Sequence, residues 1–220
     1  MRVSTIMTAV GVVALGGQVT ATPTPADANH GPGLEAELVA EGYEIYPATF
    51  TGDFGPDGET MSFNGTIESI IDQVHAINPG YNFNVTHADI EVRGKGDWRN
   101  REVARKDCNT GDFASGFHIS DGISHLRGIK NEKCKLESKG CARVSCSWNA
   151  AIFVCWDPHK DSPKTYEKPW DYVADYAAGI SAGEWCDRIP ASQNPRAVFL
   201  VRGKVWDPEG MAVRVGYDKC

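Results

Sequence analysis

The seven cysteines constrain this chain more than any other feature, because all of them lie beyond residue 107. They are Cys108, Cys134, Cys141, Cys146, Cys155, Cys186 and Cys220. None of the spacings supplies the close C-x2-C pair of a structural zinc site, so no metal site is predicted. In an oxidising compartment the set predicts three disulfides and one remaining thiol, which leaves a disulfide-linked dimer open. The spacing does not fix the pairing, but the terminal Cys220 suggests a bridge that ties down the C-terminus.

Residues 1–21 have the parts of a secretory signal peptide. Arg2 precedes an apolar run from Ile6 to Leu15, and small residues follow as far as Ala21. A run of about ten residues is too short to cross a bilayer, which requires ~20, and no later stretch is long enough either. We therefore expect cleavage after Ala21, no membrane span, and a secreted, extracellular product in which disulfides form.

Two N-glycosylation sequons add to this prediction. Asn64 begins Asn-Gly-Thr, and Asn84 begins Asn-Val-Thr. An exported eukaryotic chain would present both to the glycosylation machinery. Together with the signal peptide, the sequons indicate a eukaryotic secretory origin.

The charge balance limits the possible partners. The 22 basic residues are outnumbered by 29 acidic ones, which gives a formal net charge of −7. A surface that binds nucleic acid or anionic lipid through general electrostatics needs a surplus of Lys and Arg, so neither is predicted. The 41% hydrophobic content fits one globular domain with a packed core.

The pattern of apolar residues predicts a single α+β domain over residues 43–220, after a flexible leader at residues 22–42. The cysteine-bearing part, from residue 108, follows the order helix, hairpin, helix, hairpin. This order predicts an antiparallel sheet with helices packed on one face. The predicted elements are a strand at 43–46, a helix over 67–77 capped by Asn64, a strand at 88–92, a short helix around 119–128 capped by Ser120 or Asp121, strands at 142–148 and 151–156, a helix from Pro169 to Ile180, and strands at 197–206 and 211–217.

Two motifs in the sequence are candidates for a catalytic site. His118 and His125 are seven residues apart, so they share one helix face near Asp121, and a pair of histidines is what a secreted ribonuclease uses. No phosphate clamp surrounds them in the sequence, and we interpret them as surface residues. The G-x-S-x-G match at 179–183 follows a predicted helix instead of a strand, so it is not interpreted as a nucleophile elbow. No nucleotide-binding motif is present, and no cofactor is predicted.

One basic stretch is a candidate binding patch because it contains an aromatic residue among its cations. Acidic residues are interspersed, which favours an ordinary solvated surface, but this is the first patch we would mutate. Its members are Arg93, Lys95, Trp98, Arg99, Arg101, Arg105 and Lys106.

Several pieces of the chain resemble a family of cysteine-containing secreted proteins of filamentous ascomycete fungi. They are Asn64-Gly65-Thr66-Ile67 with Ile77-Asn78-Pro79, Gly122-Ile123-Ser124-His125-Leu126-Arg127, the stretch from Cys141 to Ile152, Val173-Ala174-Asp175 with Cys186, and the closing strand pair that ends at Cys220. The resemblance runs from about Tyr43 to the end of the chain. More distantly, the chain is similar to the KP4 killer toxins and the Ecp2-type necrosis-inducing effectors, which implies a compact, disulfide-bonded α/β sandwich.

The resemblance implies a secreted effector or toxin-like protein that binds an unidentified host or competitor target and acts in virulence, and it offers no known catalytic residues to carry over to this chain. The first alternative is a secreted hydrolase such as a ribonuclease, and the second is a cell-wall associated structural protein. The absence of a convincing catalytic motif favours the non-enzymatic interpretation.

Overall fold

The computed structural model describes residues 31–83, 97–129, 133–137, 139–157, 165–193 and 198–220. These residues form four α-helices: α1 (Leu34–Ala40), α2 (Ile67–Ile77), α3 (Gly116–Gly128) and α4 (Trp170–Ser181). The strands are β1 (Glu44–Pro47), β2 (Thr49–Gly52), β3 (Met61–Asn64), β4 (Arg105–Asp107), β5 (Ala114–Ser115), β6 (Lys133–Glu137), β7 (Gly140–Ser147), β8 (Ala150–Trp156), β9 (Thr165–Pro169), β10 (Leu200–Val201), β11 (Gly203–Trp206) and β12 (Met211–Tyr217). Short 3-10 helices cover Asp97–Asn100 and Ala191–Gln193.

A six-stranded sheet in the order β1-β7-β8-β12-β11-β4 forms the centre of the fold. Every neighbouring pair in it is antiparallel except β1 and β7, which run parallel. The predicted α+β class is therefore confirmed, and the sheet differs from the expected antiparallel one only at this edge. The physical reason is that β1 reaches β7 through a long connection, and only a tight hairpin would have forced an antiparallel pair.

The sheet is covered on both faces, which is why β8 and β12 are buried along their whole length. Helices α2, α3 and α4 pack on one face, against alternate residues such as Ile152 and Val213. Helix α1 covers the other face, where Leu34 and Leu38 pack with Phe153. The structure thus places three of its helices as expected and adds a fourth on the opposite side.

Helix α1 lies within residues 22–42, the stretch expected to be a flexible leader. Leu34 and Leu38 are fully buried, so the folded part begins before Tyr43. The sequence pattern did not indicate this helix because its two buried residues are a single i, i+4 pair, which is too short to establish a helical period.

The helix caps predicted from the sequence differ from those in the structure. Helix α2 spans Ile67–Ile77 as predicted, but its N-cap is Thr66, while the exposed Asn64 side chain accepts a hydrogen bond from Thr49 at 2.8 Å. Helix α3 starts earlier than predicted, after Ser115, so Ser120 lies inside it and donates to the Gly116 carbonyl. The predicted strand at 88–92 and the predicted residues Asn84, Arg93 and Lys95 lie outside the described residues.

The predicted set of three disulfides and one unpaired cysteine is confirmed. The bridges are Cys108–Cys186, Cys141–Cys155 and Cys146–Cys220, and the last of them ties the C-terminal residue to β7 as predicted. Cys134, in β6, is unpaired and buried, and burial raises the pKa of its thiol. A dimer linked through Cys134 would therefore require β6 to detach from the core.

Helices long and apolar enough to cross a membrane are absent from the part of the chain that the structure describes.

Candidate functional site

A polar cleft of about 530 Å³ opens on the α1 face of the sheet. It lies at the end where β8 and β11 finish and β7 begins. Five separate parts of the chain contribute to it: the segment between α1 and β1, strand β4, the residue before β7, the residue after β8, and strand β11. Its lining residues are Glu41, Tyr43, Arg105, Lys106, Asp107, Lys139, Asp157, Lys204 and Trp206. We call it the β11 cleft.

A buried lysine forms part of the wall of the β11 cleft. Lys204 is 3% exposed, and its ammonium donates a hydrogen bond to a Glu41 carboxylate oxygen at 2.6 Å. The same ammonium lies 4.9 Å from the ring centroid of Tyr43 and 4.8 Å from that of Trp206. One carboxylate and two aromatic rings together compensate the loss of water around this charge.

A second cation contacts the same indole. The Arg105 guanidinium lies 3.7 Å from the ring centroid of Trp206, since β4 and β11 pair these two residues directly. Neither Arg105 nor Lys106 forms an ion pair within the described residues. The indole nitrogen of Trp206 is buried and has no hydrogen-bond partner there either. This wall of the cleft thus holds several hydrogen-bond donors without acceptors.

The opposite wall carries a tyrosine, a carboxylate and a lysine. The Tyr43 hydroxyl donates to an Asp157 oxygen at 3.3 Å, and the Lys139 ammonium binds the other oxygen at 2.8 Å. Partial burial raises the pKa of Asp157, but the bonds from Lys139 and Tyr43 outweigh it and leave the pKa below its usual value. Burial and the neighbouring Asp157 charge raise the pKa of Tyr43, which stays a neutral donor.

The contacts of Asp157 predict a pH dependence. Its pKa is lower in the fold than in the unfolded chain, so its stabilising contribution is present above the unfolded value of about 4 and is lost as the pH falls through the folded value. We expect Asp157→Asn to lower the free energy of unfolding by up to about 1 kcal/mol at pH 7. Denaturant titrations from pH 7 to pH 3 should show this difference becoming smaller once the pH falls below about 4. A difference that grows on acidification would contradict the assignment.

Glu41 connects the cleft to helix α1. Besides Lys204, it binds Arg214, whose Nη1 lies 3.0 Å from the second carboxylate oxygen. Arg214 is fully buried and also contacts Glu37 and Thr110. Burial lowers the pKa of Arg214 to about 10, so it remains charged at neutral pH. Two buried cations on the sheet therefore hold the acidic side of α1 in place.

We expect Glu41→Gln to lower the free energy of unfolding by about 2–3 kcal/mol, because it leaves two buried cations with too little negative charge. Glu35→Gln is the matched control, since Glu35 lies in helix α1, whose C-cap is Glu41, and is 48% exposed. It should cost less than about 1 kcal/mol in the same denaturant titration. Equal losses in the two variants would show that Glu41 has no special role.

The predicted basic patch does not form one surface. Arg105 and Lys106 line the β11 cleft. Trp98 is 6% exposed and packs against Trp185, with Arg99 over its ring. Arg101 turns inward to a buried carboxylate, as described next. The candidate patch is thus divided between the cleft and the core.

Asp175 of helix α4 joins two arginines inside the protein. Arg101 donates to one of its oxygens at 3.0 and 2.8 Å, and Arg127 of α3 donates to the other at 2.8 Å. Asp175 is 2% exposed. Burial raises the pKa of Asp175 by more than the two arginines lower it. The contact fixes α3, α4 and the chain after Asp97–Asn100 to one another.

The two predicted histidines do not meet. Seven residues along α3 separate them by about 10 Å. His118 lies 3.5 Å from Asp121 and stacks on Trp148, which is 81% exposed. Nδ1 of His125 is buried and has no hydrogen-bond partner among the described residues. The described residues therefore do not assemble the converging pair that a ribonuclease needs. Ser181 ends α4 and is buried, which agrees with rejecting the G-x-S-x-G match.

Sequence reasoning missed most of the cleft. It indicated Arg105 and Lys106 but not Glu41, Tyr43 or Lys204. The one available signal was a lysine in the middle of the strand Gly203–Trp206, since a charged residue inside a buried strand needs a partner.

Metal coordination has no support here: among the residues described, no three His, Cys, Asp or Glu side chains are grouped so as to hold an ion. Comparison with known proteins returned no match to a protein-family model, to a curated protein or to a solved structure.

Proposed function

We propose that this chain is a secreted, disulfide-stabilised recognition protein of the fungal effector or toxin-like kind, which binds a host or competitor target at the β11 cleft. One observation carries the proposal: the disulfides adjoin the cleft on two sides. Cys108 directly follows β4, and the bridged Cys141 and Cys155 are each two residues from a cleft residue, Lys139 and Asp157 respectively.

Crosslinks at the walls of a cleft favour binding. A site whose side chains are already held in place loses less conformational freedom when a ligand binds, so more of the contact energy appears as affinity. Covalent staples also slow the local opening that extracellular proteases require. Both properties suit a protein that recognises a target outside the cell.

The compartment is part of the proposal. Three disulfides in a chain of this size are typical of oxidising, extracellular conditions, and residues 1–21 have the pattern of a signal peptide. Finding the mature protein in the culture medium, beginning after Ala21, would support secretion.

The function is tested with the purified, oxidised protein. We expect tissue death or an altered immune response in plant leaves, or growth arrest in yeast, and no turnover of RNA or glycans. The double variant Arg105→Gln/Lys106→Gln should lose the response, while Arg188→Gln should keep it. Arg188 is a matched control because it is exposed and stacks on a ring, Phe199, away from the cleft.

Two results would contradict the proposal. Cleavage of RNA that is lost in His118→Ala would favour a secreted ribonuclease. Recovery of the protein only from washed cell walls, with no response in tissue or yeast, would favour a structural protein.

A further inference from the structure

We propose that the β11 cleft binds a small ligand through an oxyanion, a carboxylate or a phosphate group, which Arg105 and Lys204 hold against Trp206. The inference rests on the proposed function only in taking this cleft as the recognition site.

The β11 cleft contains more cationic side chains than carboxylates. Lys204 and Lys139 have carboxylate partners at 2.6 and 2.8 Å, Glu41 and Asp157. Arg105 and Lys106 have no such partner within the described residues, and of the cleft's carboxylates only Asp107 remains. The cleft therefore has a local excess of positive charge inside a chain whose formal net charge is −7.

The geometry of Arg105 suits an oxyanion. The Arg105 guanidinium lies over the indole of Trp206, with its Cζ 3.7 Å from the ring centroid, and its N–H groups have no carboxylate partner within the described residues. Two parallel N–H groups match the two oxygens of a carboxylate or phosphate. The stacked position also restricts the side chain before the ligand arrives.

Buried donors point to the same ligand. Lys204 has three N–H donors, and its described acceptor is the single Glu41 oxygen. The indole nitrogen of Trp206 is buried in a residue that is 8% exposed, and it has no acceptor within the described residues. Buried donors are normally satisfied, so an oxygen-bearing ligand in the cleft would supply the Lys204 ammonium with a second acceptor.

The ligand should be small. The volume of about 530 Å³ lies within the range of about 300–1,000 Å³ that is usual for small-molecule sites. A long polyanion would meet the negative charge of the rest of the chain, which opposes its approach. We therefore infer an acidic metabolite, an acidic sugar or one acidic group of a larger target, and not a nucleic acid.

The experiment is an NMR titration of the oxidised, ¹⁵N-labelled protein. The probes are inorganic phosphate and sodium glucuronate, added at constant ionic strength, with glucose as the neutral control. The indole N–H signal of Trp206, identified by its loss in Trp206→Phe, is the reporter. We expect saturable shifts with phosphate or glucuronate, at least tenfold weaker binding in Arg105→Gln, and unchanged binding in Arg188→Gln.

The outcomes separate the sources of the oxyanion. Shifts with phosphate alone would assign a phosphate-bearing ligand, and shifts with glucuronate alone would assign an acidic sugar or another carboxylate. The proposal would be overturned if neither phosphate nor glucuronate gave saturable shifts. It would also be overturned if the shifts in Arg105→Gln equalled those in the unsubstituted protein. Backbone amide signals of Arg105→Gln that stay unchanged away from the cleft would show that the loss of binding is not a folding defect.

This test is independent of the biological response. If Arg105→Gln loses phosphate or glucuronate binding but still acts on leaves or yeast, the oxyanion site stands and the proposed role of the cleft in recognition fails. If neither probe binds while the cleft variants lose the biological response, recognition stands and the oxyanion inference fails.

Discussion

Removing the Cys108–Cys186 bridge, by changing both cysteines to alanine, is expected to lower the free energy of unfolding by about 4–5 kcal/mol. The bridge closes a loop of 78 residues, and a crosslink of that length removes a large conformational entropy from the unfolded chain. Because the main effect is on the unfolded state, the dependence on denaturant concentration should also become steeper. The measurement is equilibrium denaturation of the oxidised proteins.

The control for this prediction is Cys134→Ala. Cys134 is buried but forms no bridge, so its replacement removes a sulfur atom and no crosslink. We expect a loss of about 1 kcal/mol there. A loss for the double variant no larger than that of Cys134→Ala would show that the bridge does not stabilise the fold.

Asp175→Asn is expected to cost about 3 kcal/mol. The neutral amide offers one acceptor oxygen, and its NH₂ group faces an arginine that also donates, so either Arg101 or Arg127 is left with an unpaired charge. Arg101 is 27% exposed, which places the loss at the lower end of the range for broken buried pairs. Thermal and denaturant unfolding both measure it.

Two further variants make this prediction specific. Asp171→Asn makes the same chemical change on the exposed side of the same helix and should cost less than about 1 kcal/mol. The charge-free triple variant Arg101→Met/Arg127→Met/Asp175→Leu should recover most of the loss. Burial raises the pKa of Asp175 despite both arginines, so the charged arrangement does not offset its desolvation. A triple variant less stable than Asp175→Asn would contradict this.

Helix α2 was predictable from the sequence and helix α1 was not, for a physical reason. Along α2 the apolar residues recur at helical spacing, so the local pattern alone indicates the buried face. In α1 only Leu34 and Leu38 are buried, and the helix is positioned by Arg214, which lies far along the chain. A contact of that kind leaves no local pattern.

The cleft shows the same limit. Arg105 and Lys106 were indicated because they lie in a dense basic stretch, yet Trp98 and Arg101 of that stretch point into the core. Tyr43 comes from a different part of the chain and reaches the cleft only through the order of the strands. Sequence neighbours can therefore separate in the fold, while distant residues meet.

The Cys141–Cys155 disulfide lies within one hairpin, yet the turn of that hairpin does not by itself fix the pair. Cys141 and Cys155 lie opposite each other in the register of β7 and β8, and both are seven residues from Trp148 in the turn. Trp148 and Asn149 adopt positive φ values of 51° and 59°, as a two-residue hairpin turn requires. That turn alone would have placed Cys155 opposite Ala142, and the register shift between Arg143 and Ser145 brings it opposite Cys141. The short bridge therefore depends on this irregularity as well as on the turn, whereas the two long bridges depend on the tertiary fold.

Three specific disulfides hold this domain and its cleft together. Peptide mapping by mass spectrometry without reduction, on protein purified from culture medium, tests this pairing most directly. We expect linked peptides for Cys108–Cys186, Cys141–Cys155 and Cys146–Cys220, with Cys134 alone alkylated after unfolding. Seven free thiols, or a bridge that includes Cys134, would contradict it.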